Sequence, residues 1–201
     1  MVQEIEKEFP LEPYIQNAFL TTDREAFVPG GFGHFAYKLD ALPIAASQWI
    51  SSPLTVAKMT QYLDLKNADS VLEVGCGSGY QAAILSKICR RVFTIERIDA
   101  LIKEARYRFG TLEINNIFTR FDDGQRGWRD YAPYDRILFS ATAKEIPQVL
   151  FDQLAEGGIL IAPIEVGSQE IIKRFYKRHG RIVSEEIELC RFVPILNGTE
   201  K

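Results

Sequence analysis

Glu73, Glu96 and Asp123 are the side chains whose types and spacing suggest one shared task. Each stands at the end of a short apolar run: Val71-Leu72-Glu73-Val74, Val92-Phe93-Thr94-Ile95-Glu96, and Ile117-Phe118-Thr119-Arg120 followed by Asp122-Asp123-Gly124. Parallel strands are covered on both faces and run apolar, so the pattern places carboxylates at three successive strand ends. Between the first two acids lies Gly75-Cys76-Gly77-Ser78-Gly79. Glycine tolerates positive φ and, lacking Cβ, lets a ligand come close to the backbone. The helix expected from Tyr80 onward aims its free N–H groups at the same place. A dinucleotide fingerprint reads G-x-G-x-x-G, whereas this loop reads G-x-G-x-G and continues with Tyr80. A pyrophosphate gains nothing from the negative charge of Glu73. S-adenosylmethionine has no phosphate and carries a sulfonium and an ammonium, which suit acids. Glu96 is placed to hold the ribose hydroxyls, and Asp123 to accept a bond from the adenine amino group. Loops that merely cap strands explain one such acid easily and three poorly. The expected cofactor set is therefore Glu73, Gly75, Gly77, Gly79, Glu96, Asp123 and Gly124, and no metal is called for.

Holding three strand ends together requires a parallel sheet. Apolar runs at 70–75, 92–95, 117–120, 134–139 and 159–162 alternate with helical stretches, which predicts an α/β, doubly wound, mostly parallel sheet of the Rossmann-like kind. Ser52 and Pro53 mark a helix start as N-cap and first residue, with Val56, Met59 and Leu63 facing inward. Asp99 is expected to cap a helix that Gly110 ends, and Pro147 to open one through Leu154. Residues 169–177 and 181–193, around His179-Gly180, read as a C-terminal antiparallel hairpin. Ahead of the sheet, residues 1–20 suggest one or two short helices split by Pro10 and Pro13. Thr22 and Glu25 have capping-box spacing, and residues 34–52 show no period. This gives one domain over residues 1–201: an N-terminal helical cover (1–52), a cofactor-binding core (53–162) and C-terminal strands (163–201).

Composition narrows the class. The chain has 201 residues, 46% of them hydrophobic and 25% charged, enough for a real core. A net charge of −3 argues against a duplex nucleic-acid partner. The aromatic-basic run from Lys173 to Arg181 would suggest RNA by itself, but Glu185, Glu186 and Glu188 lie where a returning strand can pair with it. Cys76, Cys89 and Cys190 have neither metal spacing nor an even count, so they read as reduced thiols of a cytoplasmic protein, with Cys76 a small filler. No apolar run is long enough to span a membrane, and neither His34 nor His179 sits in a catalytic motif.

Several stretches carry a family resemblance: Arg24-Glu25-x-Phe27-Val28-Pro29, Gln48-x-Ile50-Ser51-x-Pro53, the 71–80 strand and loop, Asp123-Gly124-x-x-Gly127-Trp128 and Arg191-Phe192-Val193-Pro194. From about Ala18 to Leu196 the chain resembles the protein-L-isoaspartate O-methyltransferases, which have a class I methyltransferase fold. The resemblance implies methylation of the free carboxylate of isoaspartyl residues in age-damaged proteins and peptides by a monomer. The ester then collapses to a succinimide. It also implies that Ser51 is the active-site serine that contacts the substrate carboxylate. One stretch departs from the family. Where Gly-x-Gly-Gln-Thr is usual before Ile-Ser, this chain has Ala45-Ala46-Ser47-Gln48-Trp49, so an indole stands beside the proposed site. If it narrows the cleft it changes specificity; if it packs in the core it is structural. Two other readings follow from the same residues: methyl transfer to another acceptor, or cofactor binding without catalysis.

Overall fold

The computed structural model describes residues 1–201. Helices α1 (Val2–Glu8) and α2 (Pro13–Leu20) open the chain, with Pro13 in the first turn of the second, where its missing N–H costs nothing. A 3-10 turn follows at Arg24–Phe27. Its cap is Asp23, whose side chain accepts the Glu25 amide at 3.0 Å, so the capping role expected of Thr22 falls one residue later. The region 34–52 is not wholly irregular. It contains an antiparallel pair, β1 (Leu42–Pro43) and β2 (Trp49–Ile50), in register Leu42 to Ile50 and Pro43 to Trp49. Two residues per strand are too few for a period to show. Ser52 caps α3 (Pro53–Tyr62) as expected, its hydroxyl accepting the Thr55 amide at 3.1 Å.

Then the alternation sets in: β3 (Ser70–Val74), α4 (Tyr80–Ser86), β4 (Arg91–Glu96), α5 (Asp99–Thr111), β5 (Ile117–Phe121), β6 (Tyr134–Phe139), α6 (Gln148–Asp152) and β7 (Leu154–Val166). Strands β8 (Gln169–Arg178) and β9 (Arg181–Cys190) finish the sheet. Its order is β5-β4-β3-β6-β7-β8-β9, parallel from β5 through β7 and antiparallel thereafter. The boundaries of α5, α6 and β7 differ from the sequence reading. Asp99 lies inside the first turn of α5, and the helix passes through Gly110 to Thr111. α6 stops at Asp152, with Pro147 as its cap. β7 begins at Leu154 and carries Gly157-Gly158 as a bulge: Tyr134 pairs with Leu154 but Arg136 already pairs with Ile159.

Strand alternation splits the sheet between two cores. Val71 and Val92 join a cluster of 31 residues that includes the N-terminal helices and α3 to α5. Leu72, Val74, Phe93 and Ile95 join a cluster of 14 on the opposite face, with Leu150 of α6. The β8–β9 hairpin matches its own charges: Lys173 pairs with Glu186 at 2.9 Å and Arg174 with Glu185 at 2.5 Å. Glu188 turns instead to Lys58 of α3 at 2.9 Å. No helix is long and apolar enough to cross a membrane.

Candidate active site

In open α/β sheets ligands bind beyond the carboxyl ends of the strands, where the winding reverses. Here the reversal falls between β3 and β6, since the chain builds outward to β5 and then returns to β3's other side. A cleft lies there, and Glu73, Gly75, Gly77, Glu96, Asp123, Gly124 and Ser51 all line it. Because β3, β4 and β5 are neighbours, the three acids stand side by side along one rim.

Each acid is held differently. Glu73 is fully buried; its Oε2 accepts the Thr94 hydroxyl at 2.5 Å from the neighbouring strand, while Oε1 is buried with no partner. Burial drives its pKa from an ordinary 4.5 up to about 8, with the Thr94 bond opposing it, Glu96 adding repulsion and the nearby Ser140 hydroxyl opposing it further. Glu96 accepts the Gly77 amide at 2.9 Å through Oε2 and the Ile98 amide at 3.0 Å through Oε1. Burial raises its pKa, and the amides of Gly77, Ile98 and Arg97 pull it back. This carboxylate therefore shapes the glycine loop as well as facing the cleft. Asp123 accepts the Gln125 amide at 3.0 Å through Oδ1 and the Gly198 amide at 2.9 Å through Oδ2. Asp122 faces elsewhere, paired with Arg120 at 2.8 Å.

The glycines divide by role. Gly75 and Gly77 have φ of 96° and 52°, and a Cβ on either would meet nothing closer than 3.5 Å. Their backbone faces open space. Gly79, with φ 90°, lies behind the loop, where a Cβ would come within 2.7 Å of Phe109 on α5. It lets helix and loop close up on each other and does not itself line the cleft. Gly124 has no room either, since a Cβ would sit 2.6 Å from Val74 Cγ1. Cys76 is buried, which pushes its thiol well above the usual range, so it is inert filler.

Ser51 reaches the cleft from the β1–β2 pair, and a residue to which the sequence reading gave no site role anchors it. Arg24 is fully buried and has no carboxylate partner. Its Nη1 donates to the Ala36 carbonyl at 2.6 Å, and its Nη2 to the carbonyls of Asp40 at 3.1 Å and Ser51 at 3.0 Å. Its guanidinium also lies 5.6 Å from the centre of the Tyr80 ring, a cation–π distance. Three loop segments are thus tied to one cation. In sequence Arg24 stands in one of the stretches that carry the family resemblance, but its role as a clamp shows only in its burial and its three carbonyl bonds. Of the two roles open to Trp49, packing in the core does not hold, since the residue is 53% exposed and lines the cleft.

A second unforeseen element roofs the cleft. The segment after β9 crosses the strand ends: Thr142 N donates to Val193 O at 2.8 Å, and Ile195 N to Thr142 O at 2.8 Å. Farther on, Asp99 N donates to Glu200 O at 2.9 Å and Glu200 N to Arg97 O at 2.8 Å. Phe192 to Leu196 line the cleft from above.

These features test the fit of a cofactor. A buried carboxylate oxygen without a partner calls for a donor or cation, and the open glycine backbone leaves room for a nucleoside. Doubly wound sheet and acidic cradle together define an S-adenosylmethionine-dependent methyltransferase. The family follows from comparison with known proteins. The model of the protein-L-isoaspartate(D-aspartate) O-methyltransferase family matches residues 1–200, and the chain belongs to that family. It is 57% identical over 201 residues to a protein-L-isoaspartate O-methyltransferase of Helicobacter pylori, covering 100% of this chain and 96% of the relative. A Rhodospirillum rubrum protein of the same name is 47% identical over 178 residues, covering 87% and 81%. A solved protein-L-isoaspartate O-methyltransferase superposes with a TM-score of 0.90 at 26% identity, over 98% of this chain and 66% of that one. A Plasmodium falciparum structure in complex with S-adenosyl-L-homocysteine shares the fold, with a TM-score of 0.86 at 21% identity over 97% and 96%.

Proposed function

We infer that this chain methylates the free carboxylate of L-isoaspartyl residues in damaged proteins and peptides, the step that starts their repair through a succinimide. The observation that carries the reading is that Ser51 and the three acids line one cleft, in a chain related over its full length to enzymes of that name. When bound, S-adenosylmethionine supplies the methyl group. Glu96 takes the ribose hydroxyls, Asp123 and the Gly124 turn the adenine, and Glu73 with the backbone of Gly75 and Gly77 the cationic end. Gly79 supports the loop from behind. Ser51 orients the substrate carboxylate through its hydroxyl.

A carboxyl with an ordinary pKa near 4 is already ionised at neutral pH, so it attacks without a general base. That chemistry needs no catalytic histidine or lysine. What remains is alignment and exclusion of water. Arg24 supplies part of the first by fixing the Ser51 backbone, and the 192–196 roof supplies part of the second. We take the chain to act as a monomer, and the free thiols support a reducing compartment such as the cytoplasm. The test is methyl transfer to an isoaspartyl peptide beside its normal aspartyl twin. Transfer to the first alone is expected, and transfer to neither would remove the assignment.

A further inference from the structure

The two tryptophans have opposite surroundings. Trp128 packs edge-on against Phe93 at 5.7 Å and against Tyr131 at 5.1 Å. Trp49 is 53% exposed at the mouth of the cleft. Its backbone is not free to bury the indole, because β2 is paired to β1 and the connecting turn is closed by Ile44 N donating to Gln48 O at 2.8 Å. Successive residues of a strand face opposite sides. Ile50 points into the core, so Trp49 and Ser51 face the cleft side together, with Cα atoms about 7 Å apart at strand spacing. A second large apolar side chain, Leu196 on the roofing segment, also lines this cleft and is 50% exposed. A cleft that needed only to admit a carboxylate would not require exposed apolar groups at its entrance. Exposed aromatic and aliphatic groups of this kind mark recognition surfaces.

We propose that Trp49 is a specificity-determining residue whose indole, in a cleft that Leu196 also lines, receives a large apolar side chain within two positions of the isoaspartyl residue. The inference rests on the repair reading above, because it takes Ser51 as the point where the substrate carboxylate is held. One substrate residue advances about as far as one strand residue, so with the carboxylate at Ser51 the neighbouring side chains come level with the indole. The enzyme then favours damage sites flanked by residues that were buried in the intact client.

The test uses isoaspartyl peptides that differ only in carrying Phe or Gly at one of the four positions within two residues of the isoaspartate. Methyl transfer is measured with the parent, Trp49→Ala and Trp49→Tyr. The parent should prefer the Phe peptide at one or more positions by about tenfold in kcat/KM. Trp49→Ala should bring that ratio close to one, and Trp49→Tyr should keep part of it. A melt of each variant checks that the fold is intact. An unchanged ratio in Trp49→Ala overturns the proposal, and so does a faster reaction of that variant with Phe peptides, which would make the indole an obstruction. A parent that methylates isoaspartyl peptides without regard to their neighbours overturns this inference alone. A parent that methylates none overturns the repair assignment as well.

Discussion

The amide of Gly198 donates to Oδ2 of Asp123 at 2.9 Å, joining residues 75 apart in the chain. The other oxygen of Asp123 already accepts the Gln125 amide. An adenine amino group can therefore reach this carboxylate only through a remaining lone pair or by displacing Gly198. Site and roof are tied at the same side chain. Asp123→Ala should lower affinity for S-adenosylmethionine and S-adenosylhomocysteine by similar factors of roughly tenfold, the worth of one charge-assisted bond. It should also speed amide exchange in residues 195–200. Asp122→Ala, which removes a partner of Arg120 and the acceptor of the Asp123 amide but leaves the Asp123 carboxylate in place, should do less. Calorimetry with the two ligands decides: a strong preference for one would move Asp123 to the sulfonium end.

Glu96 carries two duties, and substitutions can separate them. Glu96→Ala removes bonds to the ribose and also frees the amides of Gly77 and Ile98. Cofactor affinity should fall tenfold or more, with each charge-assisted bond worth roughly 1.5–3 kcal/mol. Glu96→Gln keeps one acceptor oxygen for the loop and should fall between the two. A folded Glu96→Ala with parental affinity in a titration would remove the ribose role.

Glu73 should make stability depend on pH in a predictable direction. Below pH 4.5 its carboxyl is protonated whether or not the chain is folded. As pH rises the unfolded chain releases that proton, while the folded chain keeps it to about 8. The folded state then binds more protons than the unfolded one, so Glu73's contribution to stability is lost progressively between pH 4.5 and 8. Glu73→Gln cannot titrate. Its melting temperature relative to the parent should be higher at pH 8 than at pH 5, and an equal gap at both would mean that the carboxyl ionises normally. A cation beside Glu73 favours its charged form, so S-adenosylmethionine affinity in the parent should rise over the same pH window.

Ser51 and Arg24 act on the same contact from different sides. Ser51→Ala should leave cofactor binding close to parental and cut methyl transfer sharply, since a misplaced carboxylate loses its alignment. Arg24→Met leaves the carbonyls of Ala36, Asp40 and Ser51 without their donor, and should cost about 3 kcal/mol or more. Arg24→Lys keeps the charge but cannot fork to three carbonyls, so transfer should drop further than the melting temperature. Denaturant unfolding beside initial rates would show it, and full transfer by Ser51→Ala would dismiss the serine.

The strands and acids were legible because each rests on a local pattern. An apolar run ending in a carboxylate looks the same in the sequence as in the sheet, and Glu73, Glu96 and Asp123 needed no tertiary information beyond strand order. The two N-terminal helices were legible from their prolines, but residues 34–52 were opaque for the opposite reason. β1 and β2 are two residues each, held by Arg24 and by their fit over the glycine loop, and neither leaves a period. Gly79 was read as a ligand-facing glycine because a glycine needed for close helix contact has the same sequence signature. The roof over the cleft depends on backbone bonds from residues 193–200 to Thr142, Asp99 and Arg97, and backbone amides leave no mark on residue type.

Strand β9 closes the sheet without a neighbour on its outer side. The outward-pointing backbone groups along its ten residues are a template on which another extended chain can grow. The hazard is particular to an enzyme that spends its life among damaged, partly opened proteins. Glu185 and Glu186 stand along that edge, each held in place by a cation of β8, and the ladder slips register between Ile172 and Lys173. Fixed acids and an uneven edge discourage strand addition. A loosened client is thereby turned away from co-aggregation at the border of the sheet, and the cleft is left as the place where its chain can be held and released.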